Sequence, residues 1–276
     1  MSVTVKLIAH TPNPEQVVAA AAKLCYSPSK IDNILEGLDE EKSREFVEML
    51  ASIGHESPME HVSFTFGIDG ISRACSHQLV RHRIASYSQQ SQRYVDGNKF
   101  DFVTPPAIAS SPEALKEYNN AIETQRRAYA VVRDTLVYGL IKESDDGASL
   151  DGTMQDVIEK YKQINKAKCT AFIKKANEDA RFILPNACTT SIVVTMNVRS
   201  LQNFFDHRCC NRAQWEIREV AVEMLKLCRE VAPSLFIGSG PRCLRGACPE
   251  GKMTCGKAKE VKEFFAGLEK KAKTEE

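Results

Sequence analysis

The chain has 276 residues, 43% of them apolar and 26% charged, the balance of an ordinary globular protein long enough to bury a sizeable core. Its 37 basic residues nearly cancel its 36 acidic ones, which excludes a general basic surface for nucleic acid polymers and makes any anion site local. No apolar run approaches a membrane span, the start lacks the regions of a secretory signal, and most of the ten cysteines stand singly within helical or strand patterns, so a reduced, cytoplasmic setting without membrane contact is expected.

"SVTVKLIAHT" alternates as a strand does, and "NPEQVVAAAAKLCY" follows as a helix with Asn13 as its expected N-cap and Pro14 in its first turn. "DEEKSREFVEMLASIG" predicts a second helix, with acids at its start and a stop at Gly54. In "HESPMEHVSFTFGIDG", Val62, Phe64 and Phe66 alternate with Ser63, Thr65 and Gly67, the pattern of a half-buried strand beginning just after a polar knot from His55 to His61. Ile71, Cys75 and Leu79 then recur at four-residue spacing, which predicts a helix in "ISRACSHQLVRHR". From Ser111 to about Lys142 a long helical stripe runs through Leu115, Tyr118, Ile122, Tyr129, Val132, Leu136 and Leu140. Glu143 to Thr153 is acidic and glycine-containing and reads as a surface loop. A helix ending in "EDARFILP" leads to a β-branched strand, "CTTSIVVTMNV", and then to helices in "RSLQNFFDHRCC" and "AQWEIREVAVEMLKLCREVAP". The tail carries Val261, Phe264, Phe265 and Leu268 at helical spacing on a charged background.

Four polar constellations fall outside this framework. The stretch from Gln78 to Arg93 combines arginine forks with hydroxyls and backbone donors in "ASYSQQS", the makings of an oxyanion cradle if that segment is a loop. Arg81, His82 and Arg83 alone suit equally well a helix C-terminus held against its own carbonyls. On a helix starting near Arg199, residues Arg199, Asn203 and His207 share one face, as on a ligand-lining helix or any surface helix. "GHESPMEH" places two histidines beside Glu56 and Glu60, but the spacing is not that of a zinc helix, and no metal is expected there. The gaps between Cys243, Cys248 and Cys255 do not match paired zinc knuckles, leaving surface thiols or a redox-sensitive pair as open as a zinc site. Neither a dinucleotide-binding glycine fingerprint nor a phosphate loop of the GxxxxGK type is present.

Arg81, His82 and Arg83, followed after seven residues by Ser91, resemble the signature of flavin-dependent thymidylate synthases, and the likeness continues through "GHESPMEH", "ARFILP" and "NVRSLQNFFDHR" with "AQWEI", from about residue 40 to 232. The resemblance implies an α/β fold: a single domain over 1–276 with a central, mostly antiparallel sheet and long packed helices, assembled as a homotetramer whose sites combine several subunits. A surface excursion near 143–170 and a cysteine-bearing extension over 233–276 stand outside the family pattern. It further implies reductive methylation of dUMP, with methylenetetrahydrofolate as one-carbon donor and NADPH as reductant through FAD. Position by position, Arg208 matches the arginine placed against the uracil, and Gln78, Leu79, Val80, Arg81, Gln89, Gln90, Ser91, Gln92, Arg93 and Arg181 match the dUMP contacts. Ser57, Arg81, His82, Arg83, Gln89, Asn197, Val198, Arg199 and Asn203 match the FAD contacts, and His55 a histidine with a positioning role near the flavin. Two positions depart from the pattern: Gln89 stands where an acid is often found, and Arg212 where a histidine can occur.

Overall fold

The computed structural model describes residues 3–274, with side chains to residue 268. In chain order the elements are β1 (Thr4–His10), α1 (Pro14–Leu24), α2 (Ile31–Glu36), α3 (Glu40–Ile53), β2 (Ser63–Ser72), α4 (Arg73–Leu79), β3 (Ala85–Gln89), α5 (Pro106–Ala109), α6 (Pro112–Lys142), α7 (Met154–Ile164), α8 (Lys166–Ala180), β4 (Thr189–Asn197), α9 (Val198–Arg208), α10 (Trp215–Val231) and α11 (Ala258–Thr274). The chain divides into two compact units, one made of Gln89–Thr190 with Ser72–Ala74 and the other of the remaining described residues.

The larger unit is built on a four-stranded antiparallel sheet in the order β1-β2-β4-β3. Its β2 and β4 show the strict alternation of burial that a half-buried strand requires, sending Phe64, Phe66 and Ile68, and Ile192, Val194 and Met196, into one core. There Phe64 meets Phe236 at 5.5 Å and Phe205 meets Phe236 at 6.0 Å, both edge to face, so α9 and the turn after α10 close on the sheet through aromatic rings. The packing of α3 follows from its sequence as expected: Asp39 caps it by accepting from the Lys42 N–H at 2.8 Å, and Gly54 ends it with φ of 73°. Asn13 behaves differently from the expectation. It precedes α1 but makes no side-chain cap, because it adopts the left-handed conformation, with φ of 46°, instead of the extended one from which a side chain reaches the first-turn N–H groups.

Two further expectations need correction. The segment "ISRACSHQLVRHR" is not one helix: β2 continues through Ser72 with Ile71 buried, and α4 spans only Arg73–Leu79. Nor is "ASYSQQS" a loop throughout. Ala85, Tyr87 and Gln89 turn inward in alternation, and the segment adds β3 to the edge of the sheet. The signal was a period of two written in small and polar residues rather than in β-branched ones.

The smaller unit packs α6, α7 and α8 around Val137, Ile141, Val157, Tyr161, Cys169 and Ala176. The stretch near 143–170 therefore has two parts: a loop to Thr153, and helical residues that supply half of this core. The loop is itself tied down, since Asp146 accepts from the Tyr161 hydroxyl at 2.9 Å and from Lys168 at 2.9 Å, contacts that hold its carboxyl below the usual carboxylate range. Midway along α6 the buried Tyr129 hydroxyl accepts from the Gly97 N–H at 2.9 Å and donates to Asn177 Oδ1 at 3.1 Å. Removing that hydroxyl in Tyr129→Phe strands a buried donor and a buried acceptor, so chemical denaturation should show a loss of about 1–3 kcal/mol.

Candidate functional site

The helix α4 ends at Leu79, and the carbonyls that an arginine would have to satisfy are already taken. Leu79 O accepts from the His82 N–H at 3.1 Å, and the Tyr87 hydroxyl reaches both Leu79 O at 2.9 Å and His82 O at 2.7 Å. This buried phenol, pushed up to about 12 by loss of solvation, braces the turn and leaves Arg81 and Arg83 exposed. The turn therefore presents its cations outward instead of capping its own helix.

His82 points the other way, edge-on to Phe204 of α9 at 4.8 Å. Its Nε2 accepts a hydrogen bond of 2.9 Å from Arg208 Nε. A nitrogen that accepts from a guanidinium carries no proton, and burial, Arg208 and His207 together lower the His82 pKa to about 4. The pair is thus a neutral imidazole orienting a permanent cation.

One cavity of about 680 Å³ lies along the polar face of α9, lined by Asn197, Arg199 and Asn203 together with His82, Arg83, Glu56 and Glu60. Asn197 is the N-cap of α9, its Oδ1 accepting from the Ser200 N–H at 2.8 Å. Arg199 is held by Glu56 at 3.4 Å and by Glu60, which joins the polar knot before β2 to the start of α9. A second cavity of about 470 Å³ shares His82 and Asn203 with the first and adds His207, Arg208 and Arg212. The face expected from spacing alone, Arg199, Asn203 and His207, is thereby the wall of two cavities rather than an ordinary surface.

The remaining site candidates are placed as follows. Ser57 is the exposed first residue of the 3-10 turn Ser57–His61, whose Pro58 and Met59 are buried, and His55 lies 6.1 Å from the Tyr26 ring. Gln78 is half-buried on α4 and Val80 is exposed after it, whereas the Leu79 and Val198 side chains are wholly in the core, so only their backbone can meet a ligand. In the smaller unit, Gln89 reaches the Thr190 hydroxyl at 3.4 Å. Ser91 starts a turn in which its hydroxyl accepts from the Arg93 N–H at 3.3 Å and its carbonyl from Tyr94 and Val95, with Gln90 and Gln92 beside it. Arg93 pairs with Glu178 at 3.0 Å, while Arg181 Nε donates to the Glu178 carbonyl at 3.2 Å. Spacing did not single out Arg73, whose guanidinium feels burial first and the charge of Arg181 second; two neighbouring cations are a setting for an anion.

The sequence profile described as "Thymidylate synthase complementing protein" matches residues 6–234. The chain belongs to the flavin-dependent thymidylate synthase family. A protein of that name from Clostridium tetani is 51% identical over 265 residues, covering 96% of this chain and 98% of its own. Those from Geobacter sulfurreducens and Pyrococcus horikoshii are 47% and 38% identical, covering 95% and 96% of this chain and 97% and 98% of their own. Of the signature residues, His82 and Arg83 thus line the cavities, Arg81 is exposed beside them, and Ser91 starts the turn in the smaller unit.

The Arg208–His82 pair makes a prediction that needs no ligand. In long-range 15N correlation spectra His82 should carry its proton on Nδ1 and titrate near 4, as its environment dictates. Arg208→Ala should raise that value only part of the way to the ordinary 6.5, because burial is the larger cause. Between those limits the unfolded chain binds the extra proton, so His82 makes the fold less stable as pH falls through this window.

Proposed function

We propose that this protein carries out the reductive methylation of dUMP to dTMP, with methylenetetrahydrofolate as one-carbon donor and NADPH as reductant through bound FAD. Family membership carries the coarser statement, a FAD-dependent thymidylate synthase. The observation that carries the site assignment is the hydrogen bond from Arg208 Nε to a neutral His82, which fixes a cation at a cavity wall.

The residues present fit a flavin. The cavity along α9 has the volume of a small-molecule site, and its polar groups, Asn197, Arg199, Asn203, Arg83 and His82, offer donors to ring edges and phosphates. When bound, FAD supplies the hydride chemistry that no side chain here provides. Ser57, Arg81, the backbone of Val198 and Gln89 complete this set, with His55 as a positioning residue. Arg208 is the catalytic residue in this reading. With Nε committed to His82, its outer nitrogens face the uracil and stabilise the negative charge that develops as N3 loses its proton. His82 orients that cation without adding charge of its own.

Phosphate recognition falls to the turn at Ser91, whose hydroxyl and following backbone donors suit an oxyanion. Gln89, Gln90, Gln92, Arg93 and Arg181 contribute there, while Gln78, Arg81 and the backbone of Leu79 and Val80 hold the base and sugar. Arg93 exchanges Glu178 for phosphate; as a half-exposed ion pair, that contact is cheap to break. A homotetramer with shared sites is supported by apolar side chains exposed beside these residues, Phe182 at 85% and Ile84 at 79%. No helix among the described residues is long and apolar enough to cross a membrane, in keeping with a cytoplasmic enzyme.

Four measurements test the reading. Purified protein should show a flavin band that NADPH bleaches anaerobically at a rate changed by dUMP; a colourless protein that takes up no FAD overturns it. Arg208→Ala should keep the flavin and lose about 10²–10³-fold in turnover. Ser91→Ala should weaken dUMP binding in calorimetry while leaving the flavin band intact, and unchanged affinity would move the phosphate elsewhere. Light scattering that finds a monomer would remove the shared site.

A further inference from the structure

The segment after residue 234 lies outside the family profile, and the dTMP reaction described above uses none of the ten thiols. Cys210 follows α9, whereas Cys243 and Cys248 sit between α10 and α11, yet all three line the cavity that holds Arg208 and His82. Cys255 is a fourth member, since Cys248, Cys210 and Cys255 all act electrostatically on Cys243. Their exposure is graded: Cys243 is 8% exposed, and Cys248 is open to solvent in part. All four are free thiols in the structure. Among the described residues no group of three or more His, Cys, Asp and Glu is placed to hold a metal ion, whereas thiol exchange needs only two sulfurs.

The segment carrying Cys243 and Cys248 is a strap tied down on both sides of Arg208. Arg242, at 3.5 Å, and Arg245 both pair with Asp206 of α9, and Arg212 holds Glu250 at 2.9 Å and the Met253 carbonyl at 2.7 Å. These pairs are about half-exposed on the strap side, so they position the segment without locking it. Arg212 and Arg242 of this cavity are paired with Glu250 and Asp206, which leaves the charge of Arg208 uncompensated there to draw in a small disulfide bearing carboxylates.

We propose that Cys243 and Cys248 form a reversible disulfide by exchange with a small carboxylate-bearing disulfide of the glutathione type, and that this bond reshapes the wall facing Arg208. The more open Cys248 thiolate attacks the small disulfide RSSR, forming a mixed disulfide and releasing one RS⁻. Cys243 then attacks the Cys248 sulfur, which forms the internal bond and releases the second RS⁻. The two cysteines are oxidised by two electrons, RSSR is reduced, and the two cysteine protons end on two RSH. Burial pushes the Cys243 thiol up, which makes the second step the slow one.

The test incubates the flavin-loaded full chain with glutathione disulfide without oxygen and reads intact mass, a peptide map and turnover. We expect a loss of two hydrogens, a peptide joining Cys243 to Cys248, and a several-fold fall in turnover, all reversed by dithiothreitol. Cys248→Ser should abolish the bond and Cys255→Ser should keep it; if either variant fails to fold, the wild-type peptide map decides alone. Ten free thiols after incubation, an adduct that stops at the mixed disulfide, or a link through Cys210 or Cys255 would overturn the assignment. Closure with unchanged turnover would overturn the effect on Arg208. The bond is read by mass and does not depend on the dTMP reading; only its effect on turnover does. A protein that closes the bond yet makes no dTMP would lose that reading and retain this one.

Discussion

Register between β2 and β4 governs where everything else lies. The Thr65 and Thr195 hydroxyls meet at 2.9 Å across the two strands, and the Val198 N–H donates to Val62 O at 2.9 Å; both contacts mark the same antiparallel pairing. The first residues of β2 are thereby placed beside the last of β4. The polar knot from Glu56 to Glu60 meets Arg199, and the start of α9 falls where Asn197 can cap it. A slip of one residue would send Phe64 and Phe66 to the opposite face and separate these partners, so burying the aromatic core and assembling the cavity wall are a single constraint.

Electrostatics in the larger unit refine what the sheet has placed. Four cations near the cavities have a defined neighbour: Arg199 has two glutamates, Arg212 has Glu250, Arg245 has Asp206, and Arg208 has a neutral imidazole. Only the last of these partners carries no compensating charge. Arg208 therefore keeps its full field for whatever occupies the cavity, while its neighbours are largely neutralised. That difference in partner, not in residue type, sets Arg208 apart from the arginines around it.

Much of this was legible in the sequence, for physical reasons that differ by element. The alternation in β2 and the helical stripe of α6 are long-period signals, and both elements formed where the pattern placed them. The Arg199, Asn203 and His207 face followed from helical spacing alone. Short or polar elements were harder to read. β3 lacks apolar residues at most positions, and the helix expected around α4 came out too long because the four-residue spacing of Ile71 with Cys75 straddles a strand end and a helix start. Long-range polar contacts leave no local trace: neither the Asp146 tether nor the His82–Arg208 bond across 126 positions is written in any short window of the chain.

One residue beside the cavity runs against ordinary backbone preference. Ile84, between Arg83 and β3, is branched at its β-carbon, 79% exposed, and held at φ of 63°, where such side chains crowd their own backbone. Its position costs on the order of 1–2 kcal/mol, with little burial to offset it. The outlay falls at the one joint where the chain must reverse from the arginine turn into an edge strand while the Tyr87 hydroxyl reaches back to that turn. A glycine at this one position would relieve the crowding, so the joint is a place where the natural sequence leaves thermal stability unclaimed.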